Sequence, residues 1–219
     1  MDALAEVIDP SKESSGRKYH FEMESKGGNT IAIRLAEYGA AYDYESVTWN
    51  GASAEMTIPH AAVIFLRSNA STPDSFPITI HYPGGRATYD APAIKMRDYT
   101  IDAIFRKKLL LLLPFFPFLF EDQFEGMDEG AQGFEELKAA MDDVNDRLNE
   151  MTDAGGIDEV QKQHMLDWLK RVFDKLTIKY TKVQEEVDQI MTGYMLHTRT
   201  DDILDQGIQQ GMQQGMQQG

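Results

Sequence analysis

Asp2-Ala3-Leu4-Ala5-Glu6-Val7-Ile8, followed across a turn by Lys18-Tyr19-His20-Phe21-Glu22-Met23-Glu24-Ser25, is the stretch whose reading decides the fold. Asp9 to Arg17 carries Pro10, the pair Ser14-Ser15 and Gly16, all turn formers. The flanking runs therefore read as two neighbouring strands. In the second, Tyr19, Phe21 and Met23 alternate with His20, Glu22 and Glu24, the period of two of a strand. The pattern sends the apolar set to a core and the glutamates to the opposite face. An acidic residue on the open face of an antiparallel strand is ordinarily solvated. If Asp2 and Glu22 sit on neighbouring strands, however, their carboxylates converge on one point. A hard divalent cation is held in that way, by one or two carboxylates with waters and substrate phosphates.

Working outward, Lys26-Gly27-Gly28-Asn29 is a turn, and Asn29 or Thr30 can cap a helix. Ile31, Leu35, Tyr38 and Tyr42 then predict a helix over 30–44. Arg34 lies three residues before Glu37, close enough to pair along its surface. Residues 45–57 read as polar and irregular. Ala61 to Leu66 is a continuous apolar run, the pattern of a central strand buried on both faces. Phe76 to Tyr82 alternates as a strand, turns at Pro83-Gly84-Gly85 and returns over Arg86 to Met96, where Pro92 predicts an edge position or a bulge.

Thr100 caps a second predicted helix, whose apolar face is Ile101, Ile104, Phe105 and the leucines from Leu109, and which Pro114 ends or kinks. Leu109 to Phe120 is too short and too rich in proline to span a membrane, which takes roughly 20 apolar residues. It reads as a buried element. Phe120 to Gly133, acidic and rich in glycine, is taken as the limit of a first domain spanning 1–125. Leu137, Met141, Val144 and Leu148 predict a helix over 134–151. The apolar positions from Val160 to Ile190 predict one long helix or two in tandem over 157–196. These segments form an acidic helical hairpin (134–196) that packs on the first domain or on another copy of the chain. The tail, 197–219, repeats Gly-Ile/Met-Gln-Gln, with a helix-weakening glycine in every unit, and is expected to be flexible alone.

The formal charge of −15 is unevenly placed. Residues 1–110 carry 12 Lys and Arg against 14 Asp and Glu, whereas 111–219 carry 9 against 22. The acidic half repels nucleic acid, so any contact with DNA is left to the nearly neutral half. The absence of cysteine excludes a disulfide scaffold, a thiolate metal site and a cysteine nucleophile, and fits a cytoplasmic protein. No basic stretch precedes an apolar one at the N-terminus, so no signal peptide is read. The five histidines show no metal-ligand spacing. His20 and His81 read as partly buried strand residues, and Trp49 and Trp168 as core or interface residues.

An Asp opening one strand, a Glu 20 residues later on the next, a helix and then a buried strand together resemble the PD-(D/E)xK nuclease core. Lys18 to Ser25 is similar to the Tyr-His-Ile-Glu-Cys-Gln-Ser stretch of its recombination-promoting nuclease (Rpn) and transposase-associated branch. Pro59-His60-Ala61, Arg67-Ser68-Asn69, Thr72-Pro73-Asp74, Pro83-Gly84-Gly85-Arg86, Ile94 to Thr100, Leu109 to Phe116 and the terminal repeat also resemble that branch. The resemblance covers 2–125 and the tail.

It implies an α/β fold, a restriction-endonuclease-like mixed sheet flanked by helices, followed here by the C-terminal α-helical hairpin. It implies a Mg²⁺-dependent DNA endonuclease, with Mn²⁺ as a substitute ion, linked to recombination or transposition. Asp2, Glu22 and the backbone carbonyl of Met23 would hold the metal. The family's Lys or Gln two residues after the Glu is replaced by Glu24, a third carboxylate that would bind a second metal or act as a general base. Arg34 would supply the missing positive charge, and Arg34 or Lys18 would contact phosphate. The family carries a helical segment ahead of the Asp, so the resemblance also leads us to expect an N-terminally truncated chain. The rival expectation is a catalytically degenerate nuclease fold that acts by binding or self-association.

Overall fold

A computed structural model describes residues 2–7, 17–25, 30–42, 47–55, 57–130 and 133–195, with the backbone alone for 2–7, 17–18 and 42. The turns expected at 9–16 and 26–29 and the repeat tail lie outside the described residues. The chain divides into two compact units, Met1–Tyr99 and Thr100–Gly219.

The first unit is a five-stranded mixed sheet. β1 (Asp2–Val7) and β2 (Arg17–Glu24) form the expected antiparallel pair. The chain then crosses over through α1 (Ile31–Tyr42) to β5 (His60–Phe65), which lies parallel to β2. β6 (Ser75–Tyr82) and β7 (Gly85–Lys95) form a hairpin, and β7 also pairs in parallel with β5, giving the order β1-β2-β5-β7-β6. The apolar run that predicted a central strand is indeed the middle of the sheet, with Val63, Ile64 and Phe65 buried on its two faces. Ile31 and Leu35, one helical turn apart on α1, pack with Val63, Phe65, Ile78 and Ala91 as the core of one face.

Two expectations for this unit are corrected. β7 is an internal strand, so Pro92 is not on an edge. Its missing N–H costs no ladder bond: Ala93 N bonds Asp74 O on the β6 side, so by alternation the Pro92 nitrogen points towards β5, where pairing begins only one residue later at Ala93. Residues 45–57 are not irregular throughout: β3 (Thr48–Asn50) and β4 (Ser53–Glu55) make a small antiparallel hairpin. Gly51 at φ 65° supplies the positive first central position that a two-residue hairpin loop demands. Trp49 on β3 is 74% exposed, outside any core, and His81 is also exposed.

In the second unit, α2 (Ile101–Arg106) is capped as read, the Thr100 hydroxyl accepting from Ala103 N at 3.1 Å. The helix stops well before Pro114. Lys108 takes φ 56°, Leu109 N bonds Ile104 O and Lys108 N bonds Phe105 O, which is a Schellman closure with lysine where glycine is usual. A 3₁₀ segment over Leu110–Leu119 follows and holds Pro114 and Pro117 within it, and Leu112, Leu113, Phe115 and Phe116 are buried. The short helix α3 (Phe124–Asp128) comes next.

α4 (Phe134–Asp153) buries all four of its predicted apolar positions. α5 (Glu159–Thr177) begins at an Asp158/Gln161 capping box. Of the open alternatives, two tandem helices are found: residues 181–195 form a second helix whose first amides at Lys182 and Val183 donate to Asp128 Oδ1. Val160 and Trp168 fall on the exposed side of α5 rather than in a core. The Tyr194 phenol donates to Asp142 Oδ1 at 2.6 Å, and burial together with that carboxylate pushes it well above the usual range. Among the described residues no helix is long and apolar enough to cross a membrane.

Candidate functional site

Among the described side chains of β2, the polar ones are buried. His20 and Glu22 are almost completely shielded and Glu24 is largely so, whereas Tyr19 and Phe21 are only half-buried. Only Met23 of the apolar set is buried, on the opposite face. The expectation of a solvated glutamate face is therefore corrected. The cause is α1, which crosses above this row. Ile31 and Leu35 seat the helix on β5, and the intervening Arg34 is carried over β2.

Arg34 Nε lies 2.7 Å from Glu22 Oε1, and its Nη2 contacts Glu24 Oε1. One planar guanidinium thus spans two carboxylates spaced two residues apart on one strand, a fork geometry that lysine lacks. The cation offsets the cost of burying Glu22, which alone in such a place would be several kcal/mol. His20 completes the pocket, its Nε2 being 4.0 Å from Glu22 Oε2 and its ring meeting Tyr38 of α1 edge-on, with centroids 6.1 Å apart. Reading His20 as an ordinary strand histidine missed this. The available signal was its place two residues before Glu22, in the same row of the pleat.

The strand register decides how Asp2 stands to this group. Asp2 pairs directly with Glu22. Leu66 N donates to Glu24 O at 2.9 Å, so the main-chain groups of Glu24, and by alternation those of Glu22, face β5. Towards β1, Glu22 and Asp2 are therefore a non-hydrogen-bonded pair, the closer kind, with Cα atoms about 4.5 Å apart. The two positions share one face of the ladder. The Asp2 and Lys18 side chains lie outside the described residues. The same alternation aims the Met23 carbonyl towards the β1 side, next to the last described pair of the ladder.

The structure thus brings Glu22, Glu24 and Arg34 into contact and sets the Asp2 backbone and the Met23 carbonyl beside them. The carboxylate and carbonyl oxygens gathered here are donors of the kind that hard cations take, and the His20 ring lies beside them. Among the described residues no group of three or more His, Asp or Glu side chains is arranged to hold an ion. A shared ion would need position 2.

No family model matches the chain, and no curated protein or solved structure matches it either.

Proposed function

We propose that the chain is a Mg²⁺- or Mn²⁺-dependent endonuclease that hydrolyses phosphodiester bonds in DNA, with a role in recombination or transposition. One observation carries the reading. Asp2 and Glu22 face each other as a close pair where two antiparallel strands meet, and the second strand continues through a helix into a parallel, buried strand. This is the backbone arrangement that the PD-(D/E)xK resemblance implies.

Glu22, Asp2 and the Met23 carbonyl would hold the ion, which when bound supplies Lewis acidity and a lowered water pKa. The remaining tasks fall to the chain's own residues. Arg34 bridges and orients both glutamates of β2, and its guanidinium, one-third exposed, offers the site's positive charge to a phosphate oxygen. Glu24, the less buried glutamate, is the group able to take a proton from an attacking water. His20 and Tyr38 close the inner wall.

A second reading has its own support. Arg34 already bridges Glu22 and Glu24 and offsets one of their two charges, so part of the charge of the pocket is met without a metal. That favours a degenerate nuclease fold acting through binding. Calorimetric titration of the apo protein with Mn²⁺ separates the two. The nuclease reading expects one site per chain, weakened at least about 10-fold by Glu22→Gln or Asp2→Asn. No heat of binding, or binding indifferent to both substitutions, would leave the degenerate reading in its place.

A further inference from the structure

Two features lie outside the nuclease reading: a groove in the second unit and the repeat that follows it in the sequence. α5 packs against the 3₁₀ segment Leu110–Leu119, where Phe116 meets Phe173 edge-on with ring centroids 5.7 Å apart. Between the two elements runs a groove of about 270 Å³. The segment contributes Leu111 and Pro114, and α5 contributes Gln161, His164, Met165 and Trp168. Trp168 is 49% exposed and Leu111 37%, and Val160, one turn before His164, is exposed as well. No Asp, Glu, Lys or Arg lines the groove, although it lies in the acidic half of the chain. Its volume is below the roughly 300–1,000 Å³ of small-molecule pockets and suits a few apolar side chains of a peptide.

The tail supplies such side chains. Ile208, Met212 and Met216 recur every four residues, and from Gln206 onward no side chain is charged. On a helix these three form a stripe about 12 Å long, at about 1.5 Å per residue. Gln161, Met165 and Trp168 stand one per turn along about 10 Å of α5. Period, length and lack of charge thus agree on the two sides. Methionine adapts to irregular apolar surfaces and packs well against an aromatic ring. The glycine in each repeat weakens a free helix but lets a docked one approach its partner closely.

The last described helix also ends in a suitable place. Lys170 Nζ on α5 lies 2.7 Å from Asp188 Oδ1 on the helix over 181–195. Only residues 178–180 join the two helices, so they run antiparallel. Met195, seven residues after Asp188, is therefore level with Gln163, seven residues before Lys170 and beside the groove-lining His164. Twelve residues, 196–207, separate Met195 from Ile208. Twelve residues cover about 18 Å even when helical, against about 10 Å across a helix such as α5.

We propose that residues 207–219 dock as an amphipathic helix in the groove between α5 and the 3₁₀ segment of the same chain, with Ile208, Met212 and Met216 against Leu111, Met165 and Trp168. The inference rests on neither reading of the Glu22 site.

The full chain contains no cysteine and two tryptophans, so Gln214→Cys in a Trp49→Phe background gives one labelling site and one indole. A bimane on that cysteine is quenched by contact with Trp168. Short tethers give effective concentrations of the order of millimolar, so a docking Kd below about 1 mM leaves the tail more than half bound. Bimane emission is then expected to rise at least about 2-fold on adding Trp168→Phe, and likewise on adding Ile208→Gln, Met212→Gln and Met216→Gln together. The quenching should be constant from about 1 to 100 μM protein, because the docking is within one chain. Matched thermal melts accompany each variant, and the tail substitutions decide the matter where Trp168→Phe lowers the midpoint. Emission that responds to neither set of substitutions overturns the proposal. Quenching that grows with protein concentration overturns it too, and assigns the groove to the tail of a second copy.

Discussion

Arg34 is the residue on which the candidate site turns. It is the cation that makes a buried Glu22 tolerable, and its removal would leave that carboxylate shielded without its charge partner. Breaking a fully buried pair costs about 3–5 kcal/mol. Arg34 is itself 33% exposed, so solvent screening reduces this, and we expect Arg34→Met to cost roughly 1–3 kcal/mol in urea unfolding in EDTA at neutral pH. Adding Glu22→Gln to that variant should recover part of the loss, because it removes the stranded charge. An Arg34→Met protein as stable as the wild type would mean that the guanidinium contributes nothing to holding Glu22. Arg34 was legible in the sequence as a cation one helix away from the glutamates, though a pairing with Glu37 fitted equally well. The burial of His20 and Glu22 was not legible. Alternation along Tyr19 to Glu24 reports only which residues share a face, and which face is covered depends on a helix that begins seven residues after the strand ends.

At the scale of elements, the strands were legible where burial or alternation was complete. The run from Ala61 to Leu66 has no polar residue to expose, and it became the centre of the sheet. The helix over 134–153 declared itself through four apolar positions, all of them buried. The end of α2 was hidden because a lysine occupies the left-handed position where sequence reading looks for glycine. A left-handed conformation costs an L-residue with a Cβ about 1 kcal/mol or more. Lys108→Gly should therefore stabilise the protein by about 0.5–1 kcal/mol, seen as a higher melting midpoint. A lower midpoint would show that the Lys108 side chain contributes more than its backbone strain costs. The β3–β4 hairpin was missed for a different reason. Its strands are three residues long and exposed, so no hydrophobic period marks them, and Gly51 at the first position of the loop was its one signal.

Over the whole molecule, charge and chemistry are segregated. Residues 111–219 carry the acidity, whereas the candidate site lies within Met1–Tyr99. On the nuclease account a nucleic acid would be repelled by residues 111–219 and would have to be met within Met1–Tyr99, so its binding is predicted to be strongly dependent on salt. The α/β class and the C-terminal helices were open to sequence reading because periodicity extends over whole elements. The pairing of Asp2 with Glu22 was foreseen from a turn-rich linker between two short strands. What those residues do is a question for chemistry. The most direct test is nicking of supercoiled plasmid in Mg²⁺ and in Mn²⁺ by the full chain beside Glu22→Gln. The nuclease account predicts metal-dependent nicking by the wild type that falls at least about 100-fold in the variant. Equal nicking by both proteins, or none by the wild type in either metal, would contradict it.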